Sequence, residues 1–392
     1  MTNGAPRRIL HVFSRLDRGG AETRIMDVYR YMDRTYLQFD FLVLEPGQHH
    51  YDEEIEQLGG KKHIVRHPKR SGIFAHVKEM YQVMKREGPY QAVHAHTAHH
   101  AGLVMLAARL VGVSFRVSHA RTTGTSGSML KRLSILFGKL LMLHHATRLL
   151  AISRDAGRYL FGQRAVDSGQ VEIVPNAIDL APYFDLQEVD VAASRRNSGI
   201  PDCELLLGHI GRLHAVKNHI FLFKLLAHLR AAHVDARLVL IGGGALRKQL
   251  EQQAADSGLL EWVHFLGIRT DIPPLLRMLD VFVMPSFYEG LGGAAIEAQA
   301  AGVPCVLSSS LPEEVDMGLG RVHFLSLHQP LEDWAQAVQE QAKQARPSFE
   351  RIYAAFFKRG FLLEQELDRL QHAYGLSTFS QNDLDRRRIY EV

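Results

Sequence analysis

Cysteine is scarce: the 392-residue chain holds two, Cys203 and Cys305, each in an apolar or mixed stretch. With no CxxC pair and no Cys/His cluster, the two read as reduced thiols and nothing in their spacing suggests a metal. Long apolar runs are missing as well. No uninterrupted run approaches the roughly 18–20 residues of a membrane span. The chain enters its first apolar run, Ile9–Phe13, with no segment long enough for a signal peptide. A cytoplasmic protein is the expectation. Low-complexity tracts and repeats of fixed short period are absent. Acidic residues vanish from one stretch: none lies between Glu87 and Asp155, where Arg109, Arg116, Arg121, Lys131, Arg132, Lys139, Arg148 and Arg154 are all basic. Residues 1–185 carry 25 Lys/Arg against 17 Asp/Glu and the remainder 21 against 25, an asymmetry that the net charge of +4 hides. The acid-free stretch suits a phosphate, a pyrophosphate or an anionic membrane surface. Between Arg109 and Arg154 only Phe115 and Phe137 are interleaved aromatics, which argues against nucleic acid.

The remainder has ordinary soluble composition, 46% apolar and 22% charged, and enough length for two or three domains. Apolar β-prone runs alternate with helix-period segments. The predicted strands are Arg8–Phe13, Phe39–Leu44, Lys62–Val65, Ala92–His94, Phe115–Ser118, Leu149–Ile152 and Val171–Ile173, then Leu205–Ile210, Ala236–Ile241, Val263–Leu266, Val281–Met284 and Pro304–Leu307. This is the rhythm of doubly wound parallel sheets, and it restarts near Leu205 after an irregular, charged stretch at 181–203. Phe349–Tyr374 reads as one helix, or two broken near Gly360, and Ser377–Val392 as a polar tail.

The most informative segment is 281–306, VFVMPSFYEGLGGAAIEAQAAGVPCV. Its order is strand, glycine-rich turn, helix, strand. Glu289 and Glu297 flank the turn Gly290-Leu291-Gly292-Gly293-Ala294, where a helix start aims N–H groups and positive potential at an anion. Carboxylates beside bound phosphate suit a nucleotide sugar, whose hydroxyls they accept from. Arg212 and Lys217 follow the first strand of the second half, placed to neutralise a diphosphate or to sit solvated at a helix start. Gly19-Gly20, after the first strand, and Gly242-Gly243-Gly244, after Ala236–Ile241, let backbone approach a ligand or simply turn the chain. His94, His96, His99, His100 and His119 cluster in sequence, but no carboxylate or cysteine accompanies them, so metal is disfavoured; His96 and His119 follow strands and face either a substrate or the core. In Met129–Leu150 the residues Met129, Leu133, Leu136, Leu140 and Leu143 form a stripe, with Lys131, Arg132 and Lys139 opposite beside Ile135 and Met142. That helix suits a membrane surface or an ordinary core with a basic outer edge.

Taken in order, GGAE, GRL-x3-K, GGG after a strand and the E-x7-E of EGLGGAAIE resemble the retaining glycosyltransferases of family 4. The opening HVFSRLDRGGAETRIMDVYRYMD is similar to their bacterial exopolysaccharide-biosynthesis branch, and Val174-Pro175-Asn176-Ala177-Ile178-Asp179 to the family's PNG[IV]D segment, with Ala177 for glycine. The resemblance spans residues 9–315 and implies α/β, GT-B architecture: two Rossmann-like doubly wound domains facing across a cleft. The expected domains are 1–185 on the acceptor side, joined by a C-terminal helix within 360–392, and 200–350 for the nucleotide sugar. It further implies that Arg212 and Lys217 hold the donor diphosphate, Glu297 the ribose and Glu289 the transferred sugar. The amides of Gly292–Ala294 cradle phosphate, Gly20 meets the donor, and His119 lies near sugar and acceptor. Gly19, Gly243, Arg269, Gly290 and Leu291 complete the donor set, with no cofactor and no metal requirement. Gly293 departs from the larger apolar residue common there, which loosens the phosphate turn or changes donor preference.

The expected reaction is transfer from a nucleotide diphosphate-sugar, a UDP-sugar, to a saccharide or polyprenyl-diphosphate-linked acceptor in extracellular or capsular polysaccharide biosynthesis. It would take place in the cytoplasm, with peripheral contact at the anionic inner membrane face. The alternative is a non-catalytic nucleotide-sugar-binding subunit of a polysaccharide assembly complex. A third reading is another enzyme of the same architecture, an epimerase or a phosphorylase, the latter without support for its pyridoxal lysine.

Overall fold

The structure is a computed structural model that describes residues 5–122, 129–188 and 190–376, without the side chains of residues 129–133, 187 and 188. The side chains of Lys131 and Arg132 and the tail from Ser377 thus lie outside the described residues. The chain divides into two compact units: residues 1–178 with 360–392, and residues 179–359.

In the first unit seven strands form one sheet: β1 Arg7–Phe13, β2 Leu37–Val43, β3 Lys62–Ile64, β4 Ala92–Ala95, β5 Phe115–Ala120, β6 Arg148–Ala151 and β7 Val171–Ile173. Their order is β3-β2-β1-β4-β5-β6-β7, and every pairing is parallel. Parallel strands need crossover helices, which cover both faces, and so the strands read as continuous apolar runs. All seven residues of β2 are buried. Strand order reverses between β1 and β4. The last helix, Leu363–Ala373, belongs to this unit: Leu363, Leu367, Leu370 and Tyr374 lie in the same core as Ile9, Phe39 and Val117.

The second unit holds β8 Leu205–Ile210, β9 Ala236–Ile241, β10 Val263–Gly267, β11 Val281–Met284, β12 Cys305–Ser308 and β13 Val322–Leu325, in the order β10-β9-β8-β11-β12-β13, again all parallel. Here the order reverses between β8 and β11. Its core centres on Leu226, Leu240, Val283 and the fully buried Trp334.

The structure differs from expectation at several places. Residues 179–185 group with the second unit, where the Phe184 ring meets Phe349 edge-on at 5.0 Å. β13 carries no predicted strand: it is four residues long, at the sheet edge, with an exposed His323 that breaks the apolar run. Gly360, at φ 76°, separates the helices Phe349–Arg359 and Leu363–Ala373.

The helix Met129–His145 is turned inside out relative to its wheel. Leu136, Leu140 and Leu143 of the stripe are exposed, together with Phe137, while Gly138 and Met142 are buried. Lys139 also turns inward and donates to the Tyr159 carbonyl at 2.5 Å. Gly138 is the cause. A Cβ there would meet the His99 carbonyl oxygen at 2.2 Å, and one on Gly102 of the helix Ala101–Val111 would meet the Gly138 oxygen at 2.2 Å. Backbone-to-backbone contact between the two helices selects the glycine face over the leucine face. Nor do the described basic residues of the acid-free stretch all face outward. Arg116 donates to the His145 and Val113 carbonyls, and Arg121 reaches His96 and Asn176.

The crossing yields a contrast. Gly138→Ala should lower unfolding free energy by about 2 kcal/mol or more, because backbone must shift. Leu140→Ala, on the exposed face of the same helix, should change it by about 0.5 kcal/mol or less. Denaturant titration of both variants measures the difference.

Candidate active site

In an open parallel sheet, ligands gather beyond the carboxyl ends of the strands where the order reverses, because the loops from the two central strands run off in opposite directions. In the second unit that point lies between β8 and β11, paired through Val281–Leu207 and Phe282–Gly208. The loop after β8 carries Gly211, Arg212 and the short 3-10 turn Ala215–Lys217; the loop after β11 carries Glu289. The two loops are tied together. Phe287 N–H donates to the Val216 carbonyl at 2.9 Å, and Asn218, in left-handed conformation at φ 55°, donates from Nδ2 to the Pro285 carbonyl at 3.2 Å.

Across the seam Lys217 Nζ meets Glu289 Oε1 at 2.7 Å, with only 17% and 15% of the two side chains exposed. Glycine makes the approach possible. A Cβ on Gly211 would stand 2.9 Å from Lys217 Cε and 3.2 Å from His209 Nε2, so any side chain there would push the lysine stem aside. Gly242 and Gly244 serve packing of the same loop: their Cβ positions fall 2.1 Å from the Gly211 oxygen and 2.5 Å from the Leu213 oxygen. Gly243 accepts from Leu213 N–H at 2.9 Å. Gly242 and Gly244 are thus required by backbone contact whether or not a ligand lies on them, while a Cβ on Gly243 would meet only the exposed Ile268 side chain, at 2.9 Å.

Behind Lys217 stand two histidines that the sequence did not single out. His209 is buried in β8. Its Nδ1 donates to the Val283 carbonyl at 2.9 Å, which leaves the Nε2 lone pair buried and without a described partner. Burial holds its pKa well below the usual range, helped by His219 and Lys217. His219 opens the helix His219–Ala231, and burial with Lys217 lowers its pKa to about 4. Two histidines beside a lysine would have been a signal, had the sequence shown that β8 and the following turn fold together.

The remaining residues expected to meet the donor are spread along the same edge. Gly292, at φ 90°, is the N-cap of the helix Gly293–Ala300 and brings no side-chain cap. Gly293 has open space around its Cβ position, so packing does not demand glycine there. Leu291 is buried, and Glu297 lies in the second turn of the helix, half-buried. Arg212 is exposed and has no ion-pair partner among the described residues. Arg269 sits beyond β10, two strands from the seam, in a fork with Asp271 at 2.8 and 2.6 Å.

The reversal in the first unit carries a buried polar cluster instead. His11 on β1, His94 on β4, His96 just after it and His119 on β5 lie together, and burial keeps all four well below their usual pKa. His119 therefore does not follow its strand, as expected, but lies within it: β5 runs two residues further, and the ring is 1% exposed. His11, His94 and His96 each bring a ring nitrogen within 4.8 Å of the others, the spacing of a cation site. Arg121 argues against one. Its Nε can only donate, and it donates to His96 Nδ1 at 3.1 Å. The proton of neutral His96 is then on Nε2, 3.1 Å from His11 Nδ1. Both His96 nitrogens are engaged, no carboxylate belongs to the trio, and a cation would sit beside a guanidinium.

Nearby, the carboxylate of Glu22 folds over Gly19, where a Cβ would meet its Oε2 at 2.3 Å, while Gly20 is open. Burial raises the pKa of Glu22. A carboxyl group, not an empty amide nest, covers this helix start. Asn176 accepts from Arg121, and Ala177 N–H donates to Glu366 Oε2 at 2.7 Å. Burial raises Glu366 to about 7, against the pull of Arg121.

Two doubly wound parallel sheets in one chain, one with a lysine–carboxylate pair at its switch point, define a two-unit Rossmann-like α/β protein. Two family models match it: Glycosyltransferase Family 4 over residues 18–182 and Glycosyl transferases group 1 over residues 204–344. The chain is 42% identical over 381 residues to the "Putative glycosyltransferase EpsF" of Bacillus subtilis (strain 168), covering 96% of this chain and 98% of that protein. It is 29% identical over 242 residues to the UDP-Gal:alpha-D-GlcNAc-diphosphoundecaprenol alpha-1,3-galactosyltransferase of Escherichia coli, covering 59% and 60%. Among solved structures, Anabaena HepE in complex with UDP shares the fold with a TM-score of 0.76 at 19% identity, over 94% of this chain and 99% of that one. The chain belongs to the family 4, group 1 glycosyltransferases, enzymes of GT-B architecture.

Glu366 gives a titration with a definite sign. Its folded pKa of about 7 stands above the ordinary 4.5, so the fold favours the protonated form. Stability from this group is full below about pH 4.5 and is lost as pH rises through about 7. Relative to the native chain, Glu366→Gln should gain up to about 3 kcal/mol between pH 4.5 and 8. Thermal melts of both proteins across that range give the difference curve, from which the opposing titration of the buried histidines cancels.

Proposed function

We propose that the chain transfers a sugar from a UDP-sugar, with retention at the anomeric carbon, to a saccharide or a polyprenyl-diphosphate-linked saccharide in the assembly of an extracellular or capsular polysaccharide. The observation that carries this reading is the Lys217–Glu289 pair at the switch point of the second unit. Departure of the diphosphate leaves negative charge. Lys217 and Arg212, with the amides that open the helix Gly293–Ala300, are the groups to stabilise it. Glu289 holds the lysine in place. A diphosphate competes for the ammonium, and the freed carboxylate accepts from a hydroxyl of the transferred sugar. Glu297, in the second turn of the helix, takes the ribose hydroxyls. The acceptor hydroxyl attacks on the face from which the diphosphate leaves, and a departing phosphate oxygen takes its proton. Two cations supply the neutralising charge, so the reaction needs no bound divalent metal. His119 offers its Nε2, buried and without a described partner, to the sugar or the acceptor. The UDP held by HepE and the UDP-galactose and lipid-linked acceptor in the name of the Escherichia coli relative support the donor and acceptor classes.

A lipid-linked acceptor brings the enzyme to a membrane face. No helix among the described residues is long and apolar enough to cross one. The exposed Leu136, Phe137, Leu140 and Leu143 on one helix are suited to lie on its surface.

Lys217→Ala and Glu297→Ala should each lower transfer from UDP-glucose or UDP-galactose by about a hundredfold or more while the protein stays folded. Full activity in both would overturn the site assignment. Binding without any turnover by the native chain would return the non-catalytic reading. Leu140→Glu should reduce sedimentation with anionic liposomes by about fivefold while leaving transfer to a soluble acceptor intact. Unchanged sedimentation would sink the membrane reading.

A further inference from the structure

The buried chain of hydrogen bonds at the reversal of the first unit has a direction. It starts at Tyr374, which follows the helix Leu363–Ala373 and comes from 280 residues away to meet the hydroxyl's partner, His94 Nδ1, at 2.8 Å. His94 Nε2 in turn meets His119 Nδ1 at 3.2 Å. All three side chains are buried, and the ring planes of His94 and His119 lie nearly parallel, 3° apart, with centroids 5.3 Å apart. Gln91 Nε2 fixes the far end by donating to the Tyr374 carbonyl at 2.9 Å.

A neutral imidazole carries one proton and one lone pair, so a line of such rings can be polarised only one way at a time. Tyr374 sets which way. Burial pushes its phenol well above the ordinary range, so the O–H is retained. Among the described residues its only hydrogen-bond partner is His94 Nδ1. Were His94 to donate from Nδ1, the phenolic hydrogen would be buried with no acceptor, a costly orphan; with the hydroxyl donating, the N–H left at the far end is that of His119, a ring whose protonation the Val174 backbone favours. The hydroxyl therefore donates, His94 holds its proton on Nε2 and donates to His119 Nδ1, and the proton of His119 is left on Nε2. Desolvation keeps both rings neutral, and the backbone of Val174 favours a proton on His119.

We propose that Tyr374, acting through His94, is a positioning residue that locks His119 in the tautomer whose Nε2 is a hydrogen-bond donor. The other nitrogen of His119, Nε2, then presents N–H, not a lone pair, and recognises an acceptor oxygen such as a sugar hydroxyl or ring oxygen. It is not available as a general base. The consequence for rate rests on the proposed contact of His119 with the sugar; the tautomer does not.

The test is nitrogen NMR of the full chain labelled with 15N-histidine, with the His119 signals identified by their loss in His119→Gln. The native chain should show His119 protonated at Nε2, and Tyr374→Phe should abolish that signature or mix it with the other tautomer. In the same variant kcat for UDP-glucose turnover should fall about tenfold with KM nearly unchanged, the size of one hydrogen bond. A native His119 protonated at Nδ1 would overturn the proposal without any variant, and so would a Tyr374→Phe protein that keeps the Nε2–H signature. If His119→Gln retains full turnover, the contact with the sugar fails while the tautomer assignment stands on its own spectrum.

Discussion

The constraint on which the molecule depends is the reversal of strand order in an all-parallel sheet. Crossover helices cover both faces, so backbone and side chains are accessible only at strand ends. At most of those ends one loop crosses directly to the next strand. At the reversal two loops diverge and leave a notch. In the second unit this brings Lys217 and Glu289, distant in sequence, to 2.7 Å in a setting where each is mostly shielded from water. Such a pair is far stronger in its pull on a ligand than the same residues on an open surface, since little water competes for either charge. Gly211, Gly242 and Gly244 make the notch by letting backbone touch backbone where a side chain would fill it.

The same reversal in the first unit is used differently. Four histidines, Arg121 and Glu366 fill it with polar groups that burial keeps largely neutral, apart from the guanidinium. The order there comes from which groups must donate. Arg121 polarises His96 and His11 from one side, and the Tyr374 hydroxyl polarises His94 and His119 from the other. A trio with cation-site spacing is thereby occupied by its own hydrogen bonds. The last helix contributes both Tyr374 and Glu366, so a segment that looks like a C-terminal appendage in sequence is part of the interior of the first unit.

Much of this was legible beforehand. Leu205–Ile210, Ala236–Ile241 and Val281–Met284 are strands at the limits read from apolar runs, because a doubly covered parallel strand has little polar face to blur its pattern. β13 was not legible, being short, at an edge and interrupted by His323. The helix Met129–His145 was read with the wrong face inward. Its leucine stripe is the more apolar side, yet Gly138 packs because close backbone contact with the helix Ala101–Val111 outweighed the leucines. The position of His119 inside β5 escaped for a related reason: a histidine at a strand end reads as polar loop, although a buried network satisfies it.

What the sequence determined by itself was the kind and order of the parts: alternating strands and helices, two rounds of them, and glycines, cations and carboxylates placed just after strands. Those are local properties, written in composition and spacing. Tertiary structure decided which of them meet. Lysine against glutamate, arginine against histidine, and tyrosine against histidine are contacts across 72, 25 and 280 residues. Each depends on strand order and on steric room, which no local pattern encodes. Their consequences, a held ammonium and a directed line of protons, follow from burial and from which atom must donate.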